Sequence, residues 1–434
     1  MAPARAVPVR DARGARADIA ALGVSQIVGY GTLYYSFGIL APAMARDIGW
    51  PTEWVFGALS AALLAGGMVA PWTGRWLDRF GAGRVMAAGS VAAAVALVAA
   101  ALAPAAPAFV LALVAIEVAS TFVQYGAAFP LLVQRHPGTA QRSILYLTLI
   151  AGFASTLFWP LTTWLHGTMS WREVYLVFGA MNLAVCLPIH LWLARRPNAS
   201  ALPAAEAEPV GTVAPARGLV PPSLRSRAFL LMGTAFAFQS LVVSSVLVHM
   251  LPILSALGLG LAGVMVSAVF GPAQVAGRFT LMVFGRDLSP LALAVISAAL
   301  LPASLVILAA TAPSPVGAAV FAALFGLGNG LYSIVGGTLP LALFGPKGYG
   351  ALQGRVTSIR LIVGSAAPFA FALATDWMGV GGGLLVTAFL GCGAVVAFAA
   401  VRFLVSTTER RPGPVQADGT PERADGSVPP PIEP

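Results

Sequence analysis

The segment GRWLDRFGAGR, Gly74–Arg84, lies between two long apolar runs. The residues before it, WVFGALSAALLAGGMVAPWT, carry no charge, nor do those after it, VMAAGSVAAAVALVAAALA. Each run is long enough to cross a bilayer as a helix, which takes about 20 apolar residues. The charged stretch is therefore a short turn joining two spans on one side of a membrane. Gly74 allows helices to approach closely, and Gly81 permits a tight turn. Asp78 is a lone acid among Arg75, Arg79 and Arg84.

The rest of the chain repeats this alternation. Of 434 residues, 58% are hydrophobic and 9% charged, with mean hydropathy +0.85. A soluble domain carries about 25% charged residues, so that class is excluded, as is a disordered chain. Continuous apolar runs without alternation argue against an outer-membrane barrel. The net charge of +9 comes almost wholly from arginine, and Lys347 is the only lysine. These arginines lie between apolar runs, so they report topology rather than nucleic-acid binding. Cys186 and Cys392 fall inside apolar runs, with no metal or disulfide spacing. No Walker motif or nucleotide fingerprint is present. The expectation is no cofactor, no metal, no nucleic acid and no enzymatic activity.

The runs predict twelve helices, near 19–45, 54–77, 85–103, 108–133, 144–165 and 174–193, then 228–257, 261–284, 291–311, 316–344, 356–377 and 382–404. Residues 1–18 read as an N-terminal arm, 19–194 and 228–405 as two six-helix halves, 195–227 as a flexible linker and 406–434 as a disordered tail. Arg5, Arg10, Arg13, Arg16, Arg75, Arg79, Arg84, Arg135, Arg142, Arg195, Arg196, Arg217, Arg286, Arg355, Arg402 and Arg410 fall on one side, against Arg46 and Arg172 on the other. By the positive-inside rule both termini and the linker are cytoplasmic. The first helix is too long for a signal-peptide core, so it reads as an uncleaved span.

The halves echo each other at an offset of roughly 203–212 residues. Gly74-Arg75 matches Gly277-Arg278, Pro130 matches Pro340, Gly152 matches Gly364, and Pro42 matches Pro252. Parallel halves of this kind suit a transporter with a site at the midplane. Gly74, Asp78, Arg79, Gly81 and Arg84 resemble the loop signature of the major facilitator superfamily, Gly-x3-Asp-Arg/Lys-x-Gly-x-Arg/Lys-Arg/Lys, with glycine at 83 where a base is common. The resemblance implies an all-helical, twelve-span fold over about 19–405. It also implies that Asp78 faces the start of helix 11, latching the outward-open state. Within the superfamily, Gly49–Gly81 is similar to bacterial monocarboxylate and oxalate/formate carriers. Ala154-Ser155 and Phe158-Trp159-Pro160 depart from the signature of drug/proton antiporters.

Ionisable residues inside spans are costly and mark candidate sites. Ser267, Gly271, Gln274 and Arg278 form one stripe of helix 8. Arg278 either lines a cavity or snorkels to the cytoplasm. Arg360 in helix 11 shares a face with Thr357, Gly364 and Pro368. The oxalate/formate resemblance assigns Arg278 and Arg360 to a carboxylate, which a planar guanidinium grips well. Glu117, the only carboxylate deep in a span, aligns with Thr121, Gln124 and Ala128. It reads either as a proton carrier or as a hydrogen-bonding structural acid. His249, one turn after Ser245, reads either as a structural hydrogen bond or as a proton relay. Tyr30, Tyr34 and Phe37 share one face of helix 1, with Tyr35 about a quarter-turn away, and either line a site or pack between helices. Asn329, Tyr332, Ser333 and Gly336 mark helix 10.

The expected function is secondary transport of a small organic anion, mono- or dicarboxylate, by a monomeric unit in the lipid bilayer of a bacterial inner membrane. Coupling is by proton symport through Glu117 or by exchange. The alternatives are efflux of hydrophobic drug-like compounds and a non-transporting receptor.

Overall fold

A computed structural model describes residues 9–196, 218–285 and 288–409. Arg5, Arg217, Arg286, Arg410, Glu206 and Glu208, with most of the expected linker and tail, lie outside the described residues. Among the described residues there are only helices. Ten are long and apolar enough to cross a membrane. One of these, Tyr349–Thr407, bends at Gly379, whose φ of 71° no ordinary helix residue adopts. It therefore counts as two spans, and the interrupted first helix completes the twelve.

The spans are α1 (9–48), α2 (Thr52–Phe80), α3 (Ala82–Ala101), α4 (Ala106–Arg135), α5 (Ala140–Thr168) and α6 (Trp171–Arg195), then α7 (Arg225–Ala256), α8 (Gly260–Phe284), α9 (Pro290–Thr311), α10 (Pro315–Phe344), α11 (349–378) and α12 (380–409). The expected arm is already helical from Val9, and α7 starts at Arg225. Both extensions carry charged residues, which counting by apolar runs leaves out.

Interruptions within spans carry most of the local detail. The segments Gly31–Tyr35 of α1 and Asn182–Cys186 of α6 are π-helical. Helix α4 breaks at Gln124, which is extended, so Ala128 leaves the phase of Glu117 and Thr121 that an unbroken helix would keep. Helix α5 breaks at Gly152-Phe153.

Each half has its own apolar core. A further cluster joins the halves at the arginine-rich end, packing Leu77, Phe129 and Ile144 with Leu341 and Tyr349. The inter-half contacts of α4 and α5 come from Tyr125–Arg135 and Ala140–Ala151, the portions nearest that end. The substantial contacts of Ser36–Ile48 and Ala154–Thr168 stay within their own half. The molecule is thus closed at its arginine-rich end.

Asp18, just before the first apolar run, ties three helix ends together and is 2% exposed. Arg135 Nη1 donates to its carboxylate at 3.0 Å, Arg196 Nη1 at 2.7 Å, and His136 Nε2 lies 2.9 Å away. Arg135 also donates to the Leu193 carbonyl. Burial pushes the Asp18 carboxyl up, but the hydrogen bonds from His136 and Arg135, the Arg135 charge and Arg196 outweigh it and hold the group below the usual aspartate value. The stability this site contributes is present above the unfolded aspartate pKa and is lost as pH falls through the lowered one. Asp18→Ala strands a buried guanidinium and is expected to cost about 3–5 kcal/mol. Thermal unfolding in detergent checks this, with a midpoint several degrees lower.

Candidate functional site

Asp78 reaches across to the first turn of α11. Its Oδ1 accepts from Gly350 N at 2.9 Å and its Oδ2 from Ala351 N at 2.7 Å. These are two of the N–H groups that a helix start leaves without intrahelical partners, and the helix dipole favours the carboxylate there. The contact requires missing side chains. A Cβ on Gly74 would collide with the Gly350 carbonyl, one on Gly350 with Asp78, and one on Gly354 would lie 3.0 Å from Gly74 Cα. Gly81 makes the turn with φ +85°. Gly83, the departure from the loop signature, packs where a Cβ would stand 2.8 Å from Ala194 Cα of α6. Arg79 and Arg84 are exposed, Arg79 lying 5.2 Å over the Phe80 ring.

Arg278 does not snorkel. It is 5% exposed, with Nε donating to the Gly330 carbonyl and Nη2 to Gln274 Oε1, both at 3.3 Å. Its Nη1 has no hydrogen-bond partner in the structure. That atom sits against Gly152 at the break in α5, where a Cβ would collide with it. Arg278 therefore reaches from the C-terminal half into a notch of the N-terminal half.

Arg360 is half-buried, with its guanidinium 4.6 Å over the Tyr332 ring. It extends to Gly336, where a Cβ would lie 3.2 Å from Nη1, and its Nε has no partner in the structure. Its carbonyl accepts from Ser240 Oγ at 2.7 Å, which fastens α11 to α7. Asn329 is partly exposed on the same face of α10 as Ser333 and Gly336. Neither arginine has an ion-pair partner among the described residues.

A cluster of rings gathers on α1, α4 and α5. The Tyr30 ring is 4.8 Å from Tyr125 and 6.4 Å from both Tyr34 and Tyr35, and Tyr35 is 6.1 Å from Trp159. This corrects the expected face of helix 1. Phe37 is 4% exposed, turned away against Phe56, while Tyr35 joins the cluster. The π segment changes the helical phase between Tyr30 and Phe37, which an α-helical count cannot register. Tyr125 was not singled out from the sequence. Its signal, an aromatic beside Gly126 at the break of α4, is too common in membrane helices to select it.

Glu117 is 6% exposed at mid-span, beside Gly66 of α2, where an added Cβ would lie 3.6 Å from its own Cβ. Its carboxylate has no ion-pair partner among the described residues. His249 lies apart, with Nδ1 3.0 Å from the Ser245 carbonyl and its ring against Phe371, a packing role.

The family profile described as Major Facilitator Superfamily matches residues 22–368. No curated protein sequence matches the chain. Among solved structures, the human organic anion transporter MFSD10 (TETRAN) superposes with TM-score 0.68 at 15% identity, over 88% of this chain and 99% of that one. The E. coli fucose:proton symporter FucP gives 0.62 at 14% identity, over 88% and 98%. The proton:xylose symporter XylE gives 0.66 at 11% identity, over 90% and 96%. At these identities the likeness is one of fold.

Proposed function

Because the chain belongs to the Major Facilitator Superfamily, and so is a secondary transporter, we propose that its cargo is a small organic anion, a mono- or dicarboxylate. The observation that carries this reading is the pair Arg278 and Arg360, each with a buried guanidinium nitrogen that has no hydrogen-bond partner and, among the described residues, no carboxylate within ion-pair distance. A buried guanidinium without a counter-ion is costly, and an anionic cargo supplies that counter-ion. The fork of each guanidinium suits a carboxylate, and the rings supply apolar walls with polar tips. That MFSD10, which shares this fold, is an organic anion transporter is in keeping with this reading. The ring cluster itself favours a second reading, efflux of hydrophobic aromatic compounds. Uptake of radiolabelled carboxylates into proteoliposomes separates them. Saturable uptake, competed by other carboxylates and not by neutral aromatic compounds, is the expected result.

The chain works as a monomer in a bacterial inner membrane, with both termini and the arginine-rich end cytoplasmic. Closure at that end corresponds to the outward-facing state, and Asp78 at the start of α11 is its latch. Glu117 is the proton site for symport, with exchange as the other mode of coupling. Asp78→Asn keeps the side chain's shape and removes the charge that the helix dipole favours. It is expected to weaken the outward-facing state and slow transport about tenfold. Thiol labelling of a cysteine placed at Arg84 is expected to stay unchanged, whereas labelling at Leu77, buried in the closed end, is expected to rise.

A further inference from the structure

We infer that Asn182, a buried residue of α6, is a positioning residue that holds Tyr35 of α1 in the cargo site. Two π segments face each other across the N-terminal half. In α1, Ser36 N–H donates to the Gly31 carbonyl, and in α6 Leu187 N–H donates to the Asn182 carbonyl, each spanning five residues rather than four. Such widened turns are uncommon and persist where packing holds them. Here Asn182 Nδ2 donates to Thr32 Oγ1 at 3.0 Å, inside the α1 π segment, and both residues are 1% exposed. Asn182 Nδ2 also donates to the Phe178 carbonyl at 2.9 Å, and Thr32 Oγ1 to the Val28 carbonyl at 2.8 Å, so each partner is fastened to its own helix. On the other flank, the Phe158 ring of α5 fills the space above Gly31, where no Cβ fits.

The consequence is the position of Tyr35. In a regular α-helix, residues 30 and 35 point about 140° apart. With the π segment in place, the Tyr30 and Tyr35 rings are 6.4 Å apart, and Tyr35 lies 6.1 Å from the Trp159 ring of α5. Without the bond to Thr32, α1 is free to tighten to regular α geometry, which turns Tyr35 away from the rings. Asn182 thereby sets the shape of the site from behind it.

The inference rests on the cargo reading only for its transport measurement, so the test has two arms. In the first, Tyr35→Cys is made in a Cys392→Ser background, since Cys392 is exposed and Cys186 is buried. Labelling by an impermeant maleimide from the outside is then timed. Asn182→Ala and Thr32→Val are each expected to slow it about fivefold, the weight of one buried hydrogen bond. Thr32→Ser, which keeps the hydroxyl, restores the parent rate. The double variant is no slower than either single one, because both remove the same bond. In the second arm, Asn182→Ala in otherwise unaltered protein raises the carboxylate KM about fivefold and leaves the maximal rate within about twofold. Unchanged labelling in both Asn182→Ala and Thr32→Val overturns the inference, as does a slowing that Thr32→Ser fails to restore. If the parent protein transports no carboxylate, the cargo reading falls alone, and the labelling still decides the role of Asn182.

Discussion

Arg278→Ala is expected to lower carboxylate kcat/KM at least about a hundredfold, and Arg360→Ala by a smaller factor. Losing one partner of a desolvated, charge-assisted contact typically costs about 2–5 kcal/mol, and 2.7 kcal/mol is already about a hundredfold. Arg278 carries the heavier expectation because it is 5% exposed and its Nη1 has no hydrogen-bond partner in the structure. Arg360 keeps its stacking on Tyr332 when the site is empty. The two losses separate from simple unfolding by their effect on stability. Without cargo, Arg278 is a buried charge that has no carboxylate within ion-pair distance among the described residues, so Arg278→Ala should leave the thermal midpoint unchanged or raised. Arg278→Lys should not rescue transport, because an ammonium lacks the planar fork and loses the donor geometry toward Gly330 and Gln274. Proteoliposome uptake measures all three variants. Normal carboxylate transport by both alanine variants removes these residues from the site.

Glu117→Gln is expected to abolish accumulation driven by a pH gradient while leaving counterflow exchange largely intact. A carboxylate at this depth, 6% exposed, is costly to keep charged, and taking up a proton removes that cost. Co-transport of a proton also offsets the charge of the anion, which otherwise moves against a negative-inside potential at about 2.3 kcal/mol per charge per 100 mV. Glutamine preserves shape and hydrogen bonding but cannot cycle a proton. Imposed pH gradients across proteoliposomes, followed by counterflow with no gradient, make the comparison. Gradient-driven accumulation that survives the substitution excludes Glu117 from coupling and leaves exchange as the mode.

The twelve spans, the two-half repeat and the loop with Asp78 were all legible in the amino-acid sequence. These properties are local: an apolar run of sufficient length must leave water as a helix, and arginines between runs record which side each turn occupies. Gly74 and Gly81 were readable for the same reason, since the absence of a side chain has a direct meaning for close approach and turning. The ring cluster, the environment of Arg278 and the Asp18 network were not, because each depends on partners distant in the chain. Gly152 shelters Arg278 across the two halves, Asp18 meets residues 117, 118 and 178 positions away, and Thr32 meets Asn182 at a separation of 150. The face of α1 shows the limit most directly. Counting at 3.6 residues per turn groups Tyr30 with Phe37, but packing by Phe158 and Asn182 supports a π turn, and that one extra residue exchanges Phe37 for Tyr35. Periodicity describes a helix standing alone, whereas the phase of this one follows from the neighbours that grip it.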